Sequence, residues 1–358
     1  MKAQKHLTLD QYILKKIKKH KKHNLKITLI TLGVLILLLI FLTMVSDNTQ
    51  LQSLEETKDK TNMIYAGNIH LTSNIKKNSM NDTFKSILTP LNESDYATAN
   101  LHIDRNSSEN VNSTNEIMDN LQFFHDSKFK SINTVNNNLS YKQIKNIDKK
   151  AENRFGYNYL TGGGSNSINS KVVQQQVGNK RVATVSFIDI NSQFIDGNKE
   201  LTSISLKPDI FMPLIQNLKK NNDYVVVYVN WGIPNERQVT SRQKAYAHAL
   251  ADAGADIIIG NNNVIQEMEN YKKTNIFYSL GNLTSEGFLT QNKRGLIVEQ
   301  SNYKGNEEFK IIPTRFKNGK VVKEKLNKLE EIKFINNFAP KDIKLVKENG
   351  GYTYETKK

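Results

Sequence analysis

The stretch YVVVYVNWGIPNERQVTSRQKAYAHALADAGADIIIG, residues 224 to 260, is where the fold can be read. Tyr224 to Val229 is an unbroken run of β-branched and aromatic residues, the pattern of a strand buried on both faces. In SRQKAYAHALADAG, Tyr246, Ala249, Leu250 and Ala253 fall at i, i+3, i+4 and i+7, which predicts an amphipathic helix with Gly254 as its stop. DIIIG, 256 to 260, predicts a second strand. Strand, helix and strand within about forty residues make a βαβ unit and place the chain in the α/β class. Such folds carry their working loops beyond the carboxyl ends of the strands. Here those exits hold Asn230, Trp231 and Gly232, then Asn261, Asn262 and Asn263.

Working outward, MIYAG (63 to 67), RVATVSFIDI (181 to 190) and NIFYSLG (275 to 281) are further strand candidates. The first is followed by Asn68, Ile69 and His70. ATANLH presents Asn100 and His102, SINTVNNN presents Asn136, Asn137 and Asn138, and FYSLG is followed by Asn282. Carboxamides thus stand at nearly every strand exit, where catalysis by acid, base or metal would call for ionisable groups.

The 358 residues carry a formal charge of +15 and no cysteine, which excludes disulfides and thiolate metal sites. Residues 1 to 26 hold nine Lys and one Asp, a net +8, leaving +7 for the other 332. This basic stretch precedes ITLITLGVLILLLIFLTMV, Ile27 to Val45, nineteen residues without a charge. At about 1.5 Å per residue that length suits a hydrocarbon core of about 30 Å. The expectation is one transmembrane helix at 27–45, a basic cytoplasmic N-terminus at 1–26 and the main body outside the cell. A polybasic run in that position meets anionic headgroups, and nucleic acid is not expected as a partner. Residues 46–60 are expected to be a polar linker, 61–300 the α/β domain, and 301–358 a Lys-rich C-terminal extension.

MIYAGNIHL, NTVNNNLSY, VVVYVNWGIPNE, QKAYAHALADAGADIIIGNNNVIQ and IFYSLGN resemble, in order and spacing, successive blocks of the CapA/PgsA family of poly-γ-glutamate capsule proteins. That family is similar to the calcineurin-like metallophosphoesterases, and the resemblance covers roughly Thr61 to Gly295. It implies a four-layer α/β/β/α sandwich. The family pattern has G-D, N-L-E, N-N-H, H-W-G and a His-rich fifth block. Here Asn68 replaces the Asp, His102 the Glu, Asn138 a His and Asn230 another His, while GNNNV stands at the fifth block. Gly67, Asn100, Asn137, Trp231, Gly232, Gly260, Ser279, Gly281 and Asn282 still match.

A two-metal centre needs carboxylates and imidazoles to hold two cations and generate hydroxide. A carboxamide offers only a neutral carbonyl oxygen and is no base. A standard dinuclear centre is therefore not expected, and no other cofactor is; His70, His102 and Asn137 are the candidates for at most one weakly held divalent ion. Asn68, His70, Asn100, His102, Asn137, Asn138, Asn230, Trp231, Asn261, Asn262 and Asn282 are the candidate ligand-binding residues. Trp231 and His248 also fit ordinary structural roles.

The resemblance implies a single-pass membrane component of poly-γ-glutamate synthesis or export, acting beside a CapB-like ligase and CapC-like membrane subunits. Such a pseudoenzyme would bind or guide the polymer. The alternative is an active metal-dependent hydrolase or transferase at the outer membrane face using a reduced site. A purely structural anchor is a third reading.

Overall fold

The structure, a computed structural model, describes residues 8–46, 60–70, 75, 80–102, 121–127, 129–133, 146, 149–151, 153–155, 160–161, 172–189, 204–303 and 306–357. Two compact units divide the chain, Met1–Leu51 and Gln52–Lys358. The first unit holds one long helix, α1 (Leu9–Ser46). It runs through the apolar segment expected to span a membrane. Among the described residues, however, no helix is long and apolar enough to cross one. Of the expected span, the side chains of residues 37–45 lie outside those described. The linker expected at 46–60 lies largely outside the described residues, since α1 ends at Ser46 and the next strand begins at Lys60.

In the second unit the described strands are, in chain order, β1 Lys60–His70, β2 Tyr96–His102, β3 Phe129–Asn133, β4 Leu160–Thr161, β5 Val173–Val177, β6 Lys180–Ile188, β7 Ile204–Ser205, β8 Tyr224–Asn230, β9 Ile257–Asn261, β10 Met268–Tyr271, β11 Thr274–Phe277, β12 Asn282–Thr284, β13 Arg294–Tyr303, β14 Asn306–Lys317, β15 Lys320–Lys323, β16 Val346–Glu348 and β17 Gly351–Lys357. The helices used below are α2 Met80–Phe84, α3 Leu88–Glu93, α4 Pro208–Asn221, α5 Ser241–Ala253 and α6 Lys328–Phe338. One sheet has ten strands in the order β16, β17, β14, β13, β1, β2, β3, β4, with β12 added to β1 and β15 to β14. The other has seven, in the order β10, β11, β9, β8, β6, β5, with β7 added to β6. Strands β1 to β4 are mutually parallel, as are β6, β8, β9 and β11.

Alternation of side chains sorts the core into three layers. Ile64, Ala97 and Ala99 face outward from the first sheet onto Phe84, Ile87 and Leu91 of the α2–α3 region. Met63, Tyr65, Tyr96, Val226, Tyr228, Ile257 and Ile259 fill the space between the sheets. Val225, Val227, Val229 and Ile258 face outward from the second sheet onto Phe211 and Ile215 of α4 and Ala247 and Leu250 of α5. The result is helix, sheet, sheet, helix, the layering expected from the resemblance.

The βαβ unit forms where the sequence places it, with one rotation. Thr240 caps α5 in a capping box with Gln243, and Gly254 closes it at φ +118°. The buried stripe is Gln243, Ala247, Leu250 and Ala253. Tyr246 sits at its margin, under the Arg242 guanidinium at 4.6 Å. The helix turns Gln243 inward because its amide donates to buried Gln266 Oε1 at 2.9 Å. The C-terminal residues also differ from expectation. β13 runs through residue 300, and β14 pairs with it from Arg294↔Arg315 to Tyr303↔Asn306, so the residues after 300 complete the first sheet.

Tyrosines join the sheets. Tyr65 and Tyr224, on opposite sheets, donate to Gln300 Oε1 at 2.7 and 3.1 Å. Tyr228 donates to Thr98 O at 3.1 Å, and Tyr96 hydrogen-bonds to Thr184 Oγ1. Each of these tyrosines is fully buried. Burial pushes the Tyr96 phenol up to about 12 and holds Tyr65, Tyr224 and Tyr228 well above the ordinary phenol range. A pKa raised on folding stabilises the protein fully below the unfolded value, about 10, and that stability is lost as pH rises through the folded value. Urea unfolding midpoints of the second unit are therefore expected to decline above about pH 10. Tyr224→Phe is expected to cost about 1 kcal/mol at neutral pH and to make the alkaline decline shallower.

Gly260 marks the tightest packing in the βαβ unit. A Cβ there would lie 1.9 Å from Tyr278 O and 2.3 Å from Trp231 Nε1. Gly260→Ala is expected to lower stability by about 1–3 kcal/mol or more, read as a lower urea midpoint with an unchanged slope.

Candidate functional site

The site is built by an irregularity in β1. Against β2, Tyr65 pairs with Thr98 but Asn68 pairs with Asn100, so three steps on β1 match two on β2. The extra residue reverses the alternation. Ile64 and Ala66 face the outer layer, and without the bulge Asn68 would follow them; instead Ile69 does, and Asn68 and His70 turn to the side occupied by Asn100 and His102. Gly67 permits this because the β12 entry passes directly over it. A Cβ on Gly67 would lie 2.4 Å from Gly281 O, and the Asn68 amide donates to that same oxygen at 2.9 Å. The strand expected over NIFYSLG accordingly stops at Phe277, and the chain bends through Gly281, at φ +65°, to reach β1.

Parallel pairing then sets the strand-end residues in rows. Asn133, Asn100, Asn68 and Asn282 are cross-strand neighbours in the first sheet, and Asn230 and Asn261 are neighbours in the second. The first row is closed by its own hydrogen bonds. Asn100 Nδ2 donates to Asn68 Oδ1 at 2.8 Å. Asn68 Nδ2 donates to Asn282 Oδ1 and to Asn262 O, each at 3.0 Å, and Asn282 Nδ2 donates to Asn292 O at 2.8 Å. The bond to Asn262 O crosses from the first sheet to the turn after β9, so it also ties the two sheets together. Asn262 completes that turn, donating to Ile233 O and accepting from the Asn263 amide, while Ser279 Oγ donates to Asn262 O.

His70 and His102 stack face to face, with centroids 4.6 Å apart and planes 11° from parallel. His70 Nε2 lies 3.4 Å from Asn282 Oδ1, and its backbone N–H and C=O both engage Thr284 Oγ1 at 2.8 Å. Trp231 is buried, with its indole N–H donating to Tyr278 O at 2.9 Å, and so belongs to the outer core of the second sheet. His248 lies away from these strand ends, bonded to Glu269 at 2.8 Å and stacked on Tyr271. Asn137 and Asn138 lie outside the described residues.

The second row differs from the first. Asn261 is 3 % exposed, and among the described residues neither its Nδ2 nor its Oδ1 has a hydrogen-bond partner. Asn100 Oδ1 is also buried without one. Leaving a buried polar group unbonded costs about 1–3 kcal/mol, a cost that Asn261 bears at both of its side-chain polar atoms.

Residues 62–286 match the family model described as bacterial capsule synthesis protein PGA_cap. The chain belongs to this capsule synthesis family. It is 34% identical over 146 residues to the PGA biosynthesis protein CapA of Bacillus subtilis (strain 168), covering 40% of this chain and 38% of that one. It is also 34% identical over 179 residues to the capsule biosynthesis protein CapA of Bacillus anthracis, covering 48% and 44%. The matched region thus spans less than half the length of either relative. Among solved structures it is similar to TT1561 of Thermus thermophilus, with TM-score 0.44, 6% identity, and coverage of 75% of this chain and 99% of that one. It is also similar to a 5'-nucleotidase from Candida albicans SC5314, with TM-score 0.39, 11% identity, and coverage of 69% and 48%.

In this capsule synthesis family member the carboxamides of the described strand-end rows differ in donor chemistry from the carboxylates and imidazoles that a dinuclear metal centre uses. Among the described residues there is no cluster of three or more His, Cys, Asp or Glu able to hold an ion. The carboxamide oxygens of Asn68 and Asn282 already accept hydrogen bonds from neighbouring amides. Nor do the imidazoles converge. Metal–nitrogen bonds of about 2.0–2.1 Å lie in the ring plane, and two nearly parallel stacked rings share no such point.

Asn133, Asn292 and Thr284 join the site without having been expected from the sequence. Asn133 carries a readable signal, since it ends FKSIN as Asn100 ends ATAN, but the NNN run three residues later is the more conspicuous strand exit. Asn292 acts through its backbone carbonyl, for which residue type is no guide.

Asn68→Asp tests the closed row. The new carboxylate would face Asn262 O and Asn282 Oδ1, both acceptors, in a buried position. Burial and that repulsion raise its pKa above the unfolded value of about 3.9. The variant is expected to be destabilised by more than about 3 kcal/mol at pH 7. Its stability should approach that of the parent as pH falls toward 4, measured by urea unfolding at several pH values.

Proposed function

We propose that this chain serves poly-γ-glutamate capsule assembly by holding the polymer at the strand ends of its second unit, without hydrolytic chemistry. The observation that carries this reading is Asn261, a buried carboxamide whose donor and acceptor are both unengaged, beside Asn230 on the next strand. A γ-linked polyglutamate repeats an amide N–H, an amide C=O and a carboxylate. The half-buried carboxamide of Asn230 and the unengaged one of Asn261 can accept from the first and donate to the second, and the strand-end carboxylate beside them, Asp189, whose amide donates to Asn230 O, is held by Arg242 at 2.8 Å. The net +7 carried by the residues after 26 favours the encounter with a polyanion.

In this reading the N-terminal helix attaches the chain to the cell membrane as a single pass, with its nine lysines on the cytoplasmic side and the second unit outside. Leu29, Ile30, Leu32 and Leu35 of α1 are exposed apolar side chains that lipid would cover. A CapB-like ligase and CapC-like membrane subunits are the proposed partners. No resident metal is part of the proposal.

The test is equilibrium binding of labelled poly-γ-glutamate to the full chain in nanodiscs. Affinity is expected to fall as salt rises, and Asn261→Ala is expected to weaken it by about 10-fold, the loss of one or two hydrogen bonds to the ligand. Failure of the polymer to bind would overturn the reading, as would unchanged affinity in the variant. So would two divalent ions per chain by elemental analysis, together with phosphoester turnover that a chelator abolishes.

A further inference from the structure

Beside the strand-end cleft lies a groove of about 640 Å³ that the function above does not use. Its walls are α6, the segment Val264–Glu267, and the loop carrying Arg237 and Gln238. That volume falls within the range of about 300–1,000 Å³ usual for ligand clefts. Ile265, Leu326, Phe334 and Phe338 give it an apolar floor continuous with the core between the sheets.

The wall is built rather than loose. Gln266, 2 % exposed, donates to Glu236 O at 3.0 Å and Gln238 O at 3.3 Å while accepting from Gln243. The groove also adjoins the strand-end residues along the chain. Val264 directly follows Asn261–Asn263, and Asn292, whose carbonyl closes the first carboxamide row, donates through Nδ2 to Asn235 Oδ1 at 2.9 Å.

Charge distinguishes this groove from an ordinary surface depression. Each carboxylate lining it already has a cation: Glu324 holds Arg294 at 2.9 Å and Arg315 at 3.3 Å, Glu330 holds Arg294 at 3.3 Å, and Glu267 holds Lys244 at 2.9 Å. The cations Arg237, on the loop, and Lys333, on α6, also line it, and among the described residues neither has a carboxylate within ion-pair distance. Arg237 contacts Gln291 Oε1 at 3.4 Å.

Two uncompensated cations over an apolar floor match a chain that carries carboxylates on aliphatic spacers. We infer that the groove is a second subsite for the acidic polyamide of the strand-end cleft, with Arg237 and Lys333 each holding one of its carboxylates. This rests on the polymer-binding reading and extends it along the molecule: a short oligomer is held by the cleft, and a long one also crosses the groove.

The test uses the full chain in nanodiscs, titrated with a γ-glutamate trimer and with a long γ-glutamate oligomer. The double variant Arg237→Gln/Lys333→Gln replaces exposed side chains, and an unchanged urea midpoint confirms that it folds. It is expected to bind the long oligomer about 10-fold more weakly, with a shallower salt dependence, and the trimer as before. The conservative variant Lys333→Arg, with Arg237 intact, keeps both charges and should retain parental affinity for the long oligomer. Equal binding of the long oligomer by parent and double variant overturns the groove alone. An equal loss for inorganic polyphosphate also overturns it, because the cations then act as unspecific charge. Failure of the parent to bind either γ-glutamate ligand overturns the polymer reading along with it.

Discussion

One extra residue in β1 decides which way the site faces. Without the bulge at Gly67, Asn68 and His70 would point with Ile64 and Ala66 into the outer layer, and the row of carboxamides could not form. The bulge in turn depends on contact between two backbones, Gly67 beneath Gly281, with no room for a methyl group between them. The same approach brings Asn282 into register with Asn68 and carries the chain on to Asn292. Side-chain chemistry at the strand ends is thus set by a backbone packing constraint in which no functional side chain takes part.

The carboxamides divide into two kinds. Asn100, Asn68 and Asn282 form a directional series in which each Nδ2 donates onward, so most of their capacity is used within the protein. Asn261 is buried with its capacity unused. Replacing an acid or an imidazole by an amide therefore has two consequences here. It removes the charge needed to hold cations and activate water, and it supplies groups that can close a structure or grip an amide-bearing ligand.

The strand–helix–strand core was legible because its signals are local: an apolar run, a helical period and a terminal glycine. Strand exits follow from that frame, and most of the carboxamides now seen together could be named in advance. The bulge was not legible, since nothing in MIYAGNIH says which residue is the extra one until β2 supplies the register. Nor were the final strands of the first sheet. Pro313 argues against a strand in the sequence. In the structure it falls between the two flanking ladders of β14, with β17 paired up to Ile311 and β15 from Thr314. Its carbonyl accepts from the Glu324 amide, so its nitrogen faces the flank away from β13, where no donor is required. The tyrosine bridges were hidden because Tyr65, Tyr224 and Tyr228 read in the sequence as ordinary apolar strand residues, and only sheet stacking gives their hydroxyls partners.

The amide clasp between Asn68, Asn282 and the turn at Asn262 bears on how the sandwich is held at its rim. Asn68 belongs to the first sheet and Asn262 follows the last residue of β9 in the second, so a single side chain spans the two. The tyrosine bridges fasten the middle of the sandwich and this clasp fastens its end, so cutting the clasp would loosen the rim while the middle stays joined.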